Sequence, residues 1–314
     1  MARSAWLAVF ASIVALGAIL VSPSLAMAAT GGAPTPAGSP PPPPSRGGAP
    51  DPAPSAGSTL TLLSATTTPR KSFYYGVRFP RLSYSIDSDQ AQNDLRVDVI
   101  DEDGEVVRSF FRNDVAPNVA DSIRWDGATS QNRPAPNGHY SFRIAPQTSG
   151  STASRLRASS SSTGEPVSLG FDLYAYAFPI LGAHDFGGSG GRFGAGRAGH
   201  THEGQDVMAD CGTPLVAARG GRVQYSAYQG AAGNYVVVDG KGTGYDMGYM
   251  HLLEPSPLQE GEVVRTGQPI GIVGQTGDAT ACHLHFEIWT APGWYEGGSP
   301  IDPLPYLKQW DEYS

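Results

Sequence analysis

The chain has 314 residues, 40% of them hydrophobic, which is enough apolar material for about two folded domains. Its formal net charge of −8 argues against a nucleic-acid partner, which would favour a basic surface. Two cysteines allow one intrachain disulfide, as expected of an exported chain.

Residues 1–28 predict a secretory signal peptide. Arg3 supplies a positive start, Trp6 to Val21 is a nearly continuous apolar run, and Ala26 and Ala28 are small residues at the −3 and −1 positions of a cleavage site. The apolar run is close to the ~17 residues that can span a bilayer, so an uncleaved anchor is the alternative and the only route to a membrane. Pro23 and the small-residue motif favour cleavage. Either way, the rest of the chain is expected outside the cytoplasm, secreted or in the cell envelope. Residues 29–58 are Pro, Gly, Ala and Ser with a proline run from Pro40 to Pro44 and no large hydrophobe, so they predict an extended tether.

Residues 59–148 read as short strands separated by turns. Leu95 to Ile100 alternates, Asp103-Gly104 turns the chain, and Glu105 to Phe110 returns, which predicts a hairpin. Strands ending at Trp125-Asp126-Gly127 and starting at Asn137-Gly138-His139-Tyr140 continue the pattern, and this spacing suggests a β-sandwich. The WDG and NGHY turns resemble the FlgD-like immunoglobulin-like domain of exported bacterial proteins. That resemblance implies a fold and no activity; a wall polymer or a protein would be its partner. His139, alone on its strand, reads as structural. A serine-rich stretch, 149–165, predicts a second linker.

Residues 166–314 differ in charge and chemistry. They hold seven basic and sixteen acidic residues, against twelve and twelve in 58–165, and six of the seven histidines. The strand Ala281-Cys282-His283-Leu284-His285-Phe286-Glu287-Ile288-Trp289 puts two imidazoles on one face, since residues i and i+2 of a strand share a side. About eighty residues earlier, His202-Glu203-Gly204-Gln205-Asp206 sets a histidine and a carboxylate four apart. Zn²⁺ takes imidazole nitrogen and carboxylate oxygen at ~2.0–2.2 Å, and a catalytic site keeps three protein ligands with one open position. Strands are expected at Leu215–Ala218, Arg222–Tyr228, Asn234–Asp239, Asp246–His251 and Pro269–Val273, with one helix from Pro303 to Trp310.

The motifs HEGQD, YMHL and HLHFE within 179–303 resemble the LytM/lysostaphin-type zinc metallopeptidases, peptidoglycan endopeptidases of bacterial cell walls. The resemblance implies that His202, Asp206 and His285 hold Zn²⁺, and that His251 and His283 flank the attacking water as catalytic residues. The expected fold class is thus mainly β, an N-terminal immunoglobulin-like sandwich followed by an antiparallel β metallopeptidase domain. The expected function is hydrolysis of peptidoglycan peptide bonds, in cross-links or stem peptides. A non-catalytic wall-binding or hydrolase-regulating protein of the same fold is the alternative, and regulators of this family have typically lost metal ligands. Glu287 shares the face of His285 and is a candidate to orient it. Cys211 and Cys282 each sit beside a metal-ligand segment and are expected to pair; strand alternation turns Cys282 away from His283 and His285. His184 and His200 match no ligand position, and Asn234 reads as structural.

Overall fold

A computed structural model of the protein describes residues 60–147, 157–158 and 169–314. The signal peptide and tether expected over 1–58 lie outside the described residues, as does the serine-rich linker apart from Arg157–Ala158. The described residues belong to one compact unit, Ala56–Ser314, and they are mainly β.

The first half contains β1 (Leu60–Thr68), β2 (Lys71–Phe73), β3 (Arg81–Ser88), β4 (Asn93–Asp101), β5 (Val106–Val115), β6 (Asp121–Arg124), β7 (Gly138–Pro146), β8 (Arg157–Ala158) and β9 (Gly170–Tyr174). They form two sheets, ordered β6-β3-β1-β8 and β2-β9-β7-β4-β5. Alternating residues of both sheets, among them Leu82, Tyr84 and Ile86 from one and Val97, Phe142 and Leu173 from the other, share a single apolar core. The turn signals act as expected. Gly104 adopts φ 83° between β4 and β5, and Gly127 adopts φ 82° after Trp125, a conformation that costs glycine little. Trp125 is fully buried, donates its indole N–H to Ala128 O at 2.8 Å, and meets Tyr140 edge-on with centroids 5.1 Å apart.

β9 lies beyond the boundary read at 165/166, yet it is hydrogen-bonded between β2 and β7. Its phenylalanine and leucine, Phe171 and Leu173, fill the first core. A cut at 165/166 would leave β9 without both neighbours. Contacts between the two halves are polar as well as apolar. Thr266, fully buried, donates its hydroxyl to Tyr74 O at 2.8 Å and accepts from Gly220 N at 2.9 Å. The buried Arg219 guanidinium lies 4.4 Å over the Tyr74 ring and donates to Ala175 O and Lys241 O.

The second half contains β10 (His184–Asp185), β11 (Gln205–Ala209), β12 (Pro214–Val216), β13 (Gly221–Gln229), β14 (Gly233–Gly240), β15 (Tyr245–Leu252), β16 (Val263–Val264), β17 (Pro269–Ile272), β18 (His283–Thr290), β19 (Pro300–Ile301) and α1 (Leu304–Asp311). The main sheet runs β10-β11-β18-β15-β14-β13-β16, with β19 on the side of β18, while β12 and β17 pair separately. β18 is central. Its Leu284, Phe286 and Ile288 face a core shared with Val236, Val238, Met247 and Tyr249, capped by Leu307 and Trp310 of α1. The alternation that buries those three residues puts His283, His285 and Glu287 on the opposite face.

Cys211 and Cys282 are joined in a disulfide that closes a loop of 71 residues and ties the end of β11 to the start of β18. In the chain-entropy picture a loop of this length stabilises the fold by about 4 kcal/mol. Replacing both cysteines by serine should therefore lower the free energy of unfolding by about that amount, read from urea denaturation of oxidised wild type and the double variant. An unchanged midpoint would refute it.

Candidate metal centre

β11 and β18 pair antiparallel so that Asp206 lies directly opposite His285. Both side chains project from the face away from the core, and the turn before β11 brings His202 over them. Gly204 makes that turn possible. A Cβ at this position would lie 2.7 Å from His285 Nε2 and 2.5 Å from Phe286 O, so any larger residue would push into the ring and the strand. The glycine of the HEGQD motif thus has a steric cause.

Three donor atoms converge here. His202 Nε2 lies 3.0 Å from Asp206 Oδ1 and 2.8 Å from His285 Nδ1, and His285 Nδ1 lies 3.0 Å from the same Asp206 oxygen. Each histidine spends its other ring nitrogen on a group that only accepts. His202 donates Nδ1–H to Arg192 O at 2.9 Å, and His285 donates Nε2–H to the Glu287 carboxylate at 2.9 Å. The converging atoms are therefore two imidazole lone pairs and a carboxylate oxygen, a set that a cation must neutralise. Burial pushes the Asp206 carboxyl up, but the His202 and His285 rings beside it outweigh that and hold it far below the ordinary carboxylate range. Burial disfavours the His285 imidazolium, but Asp206 and Glu287 outweigh it and raise its pKa to about 9. His202, Asp206 and His285 are thus a group that could hold a metal ion, and the donor set suits Zn²⁺.

Two further histidines flank this group. His283, two residues from His285, donates Nδ1–H to Ala281 O at 2.8 Å, leaving Nε2 3.5 Å from Asp206 Oδ1. His251 donates Nδ1–H to Thr276 O at 2.8 Å, and its ring centroid is 4.7 Å from that of His283. Strict alternation along β15 would turn His251 toward the core, because its neighbour Met250 is opposite His285. Instead His251 adopts φ 62°, where the pairing of β14 with β15 slips between Asn234 and Val236, and the ring joins the histidine face. Burial, followed by the neighbouring His283 and His285, presses the His251 pKa down to about 4, so the ring is neutral at ordinary pH.

Glu287 is buried, and its second oxygen accepts from the indoles of Trp289 and Trp294, each at 2.7 Å. Burial opposes its charge, yet His285 and these two donors hold its pKa below the usual value. The remaining sequence candidates stay apart from the centre. His139 pairs with Asp172, and His184 donates to Gly182 O and approaches Asp311. His200 contacts Ala198 O on the surface, and Asn234 binds Leu252 O through its side chain. Sequence reading missed the carbonyl of Arg192 and the guanidinium of Arg197, which stands 3.6 Å from Asp206 Oδ2. It also missed the tryptophan behind Glu287, for which the Pro-Gly-Trp-Tyr-Glu-Gly-Gly run was the available signal.

The second half is also similar to known proteins. Peptidoglycan DD-endopeptidase ShyC of Vibrio cholerae is 43% identical over 87 residues, covering 28% of this chain and 20% of that protein. Lysostaphin of Staphylococcus simulans is 32% identical over 120 residues, covering 38% of this chain and 24% of that protein. The chain therefore matches about a fifth to a quarter of the length of these relatives. Among solved structures, the catalytic domain of lysostaphin from Staphylococcus simulans is 30% identical and covers 40% of this chain and 92% of that one, with a TM-score of 0.35. Every group that converges at the candidate centre, from His202 to His285, falls inside residues 200–303, the segment that matches Peptidase family M23.

Proposed function

We propose that the protein is an exported zinc metalloendopeptidase that hydrolyses peptide bonds of bacterial peptidoglycan. The observation that carries this reading is the convergence of the His202, Asp206 and His285 lone pairs with His251 and His283 beside them. The name of the Vibrio cholerae relative, a peptidoglycan DD-endopeptidase, supports the substrate class. A signal peptide over 1–28 and a secreted or envelope location agree with a substrate outside the cytoplasm. The two-sheet first half, with its WDG and NGHY turns, supports an immunoglobulin-like domain that would hold the enzyme near a wall polymer or protein partner.

His202, Asp206 and His285 would hold the ion. When bound, Zn²⁺ supplies Lewis-acid polarisation of the scissile carbonyl and makes water a better nucleophile near neutral pH. The chain supplies proton handling. With Nδ1–H committed to Thr276 O and Ala281 O, His251 and His283 both keep Nε2 as the acceptor. Either Nε2 can take the proton from the attacking water; the imidazolium so formed then donates it to the leaving amine. Glu287 fixes His285 in the tautomer that leaves Nδ1 free. A wall-binding protein without catalysis would not need His251 in a left-handed conformation beside His283, a backbone state worth about 1–3 kcal/mol of strain in general.

The test is digestion of purified walls of defined cross-link chemistry by the zinc-loaded protein, with new amino termini identified by mass spectrometry. Release of new peptide amino termini, abolished by a chelator and restored by Zn²⁺, is the expected result. Zinc binding without any new amino terminus on any wall type would favour the regulatory reading.

A further inference from the structure

The chain between β18 and β19 makes a compact loop, Ala291 to Gly298, that reaches both segments carrying the candidate donors. On one side, the Trp294 indole N–H donates to Glu287 Oε2 at 2.7 Å, while Glu287 Oε1 accepts from His285 Nε2 at 2.9 Å. On the other, the Tyr295 hydroxyl donates to the carboxylate of Glu203, the residue after His202. A third tie, from Trp294 N to Asp246 Oδ2 at 2.8 Å, fixes the loop backbone to β15.

The loop is stiff for local reasons. Gly293 at φ 136° and Gly297 at φ 104° take conformations that L side chains rarely adopt. A Cβ on Gly298 would lie 2.1 Å from Thr290 O. Gly293 O accepts from both Glu296 N and Gly298 N. Trp294 packs against Tyr225 and Tyr235 with centroids 5.5 and 5.3 Å apart, and Tyr295 lies 4.6 Å from Trp289. The Tyr225 hydroxyl donates to Glu296 at 2.5 Å.

We infer that this loop is a clamp on the metal donors, in which Trp294 and Tyr295 are positioning residues that set metal affinity. The inference rests on the reading of His202, Asp206 and His285 as the metal ligands and extends it to residues outside that donor set. The physical chain is short. Two indoles occupy Glu287 Oε2, so the carboxylate cannot rotate and Oε1 is left for His285. That bond fixes both the tautomer and the ring plane of His285, and so the direction of the Nδ1 lone pair. Tyr295 restrains the turn that carries His202 in the same way through Glu203. Loss of such outer partners typically costs 10–100-fold in metal affinity.

The experiment uses the full chain and Zn²⁺ in competition with a chelator of known affinity. Trp294→Phe keeps an aromatic side chain, smaller than the indole, and removes the N–H, and it should bind Zn²⁺ about 10–100-fold more weakly than wild type. Tyr295→Phe, on the surface, should weaken binding by a smaller factor, above twofold. In wild type, the Trp294 indole ¹⁵N–¹H resonance, assigned by its loss in Trp294→Phe, should move as Zn²⁺ is added. Both variants binding within twofold of wild type, or an indole resonance that ignores Zn²⁺, overturns the clamp while leaving the metal centre standing. Wild type that binds no Zn²⁺ overturns both. If Trp294→Phe does not fold, Tyr295→Phe decides alone, and its binding within twofold of wild type overturns the clamp.

Discussion

His285→Ala should yield a protein that carries almost no zinc and cleaves no measurable peptide. The substitution removes one of the three donors that meet within 3.0 Å of one another, and two ligands do not hold a zinc ion at the affinity of three. It also leaves Glu287, a buried carboxylate, with two indole donors and no cationic or metal-linked partner. Breaking a buried ionic contact from one side typically costs about 3–5 kcal/mol, so part of the effect could reach the fold. The double variant His285→Ala/Glu287→Gln separates the two contributions. It removes the orphaned charge and should recover stability while staying free of zinc. Metal content by mass spectrometry, melting temperature and cleavage rate, measured on both variants, check the claim. A single variant that keeps a full complement of zinc would show that His285 is not a ligand.

Much of this centre can be read along the chain because strand periodicity is local. His283 and His285 share a face for the same reason that Leu284 and Phe286 fill the core, and the structure keeps that alternation through the whole of β18. The strands expected at Arg222–Tyr228, Asn234–Asp239 and Asp246–His251 appear within a residue of those limits, since glycine and polar turns bound them. What local pattern does not carry is pairing. Nothing near Asp206 states that its partner on the neighbouring strand is His285, a residue 79 positions away. The five residues of β9 alternate as well as any strand here, yet only the open position between β2 and β7 assigns them to the first core. The position of His251 is harder still. Its ring reaches the histidine face through one left-handed residue at a register slip, where regular alternation would have buried it. Sequence similarity named that residue, and the backbone explains how it arrives.

The two flanking histidines should behave differently from His285. His283→Ala and His251→Ala each leave His202, Asp206 and His285 with their outer partners intact, so zinc content should stay near that of wild type. Turnover should fall by about 10²-fold or more in each, the scale of a lost general acid–base group. The hydrogen bonds support equal treatment. Each ring is anchored by Nδ1–H on a backbone carbonyl, and each keeps Nε2 for the reaction. Gln in place of either histidine provides a sharper variant, because its amide can still donate a hydrogen bond but cannot accept and return a proton. A residue that only stabilises developing negative charge should be partly rescued by Gln. One that carries the proton should not be rescued. If His251 carries the proton, His251→Gln should remain as impaired as His251→Ala. Recovery of turnover in His251→Gln, at unchanged zinc content, would assign the proton to His283 instead.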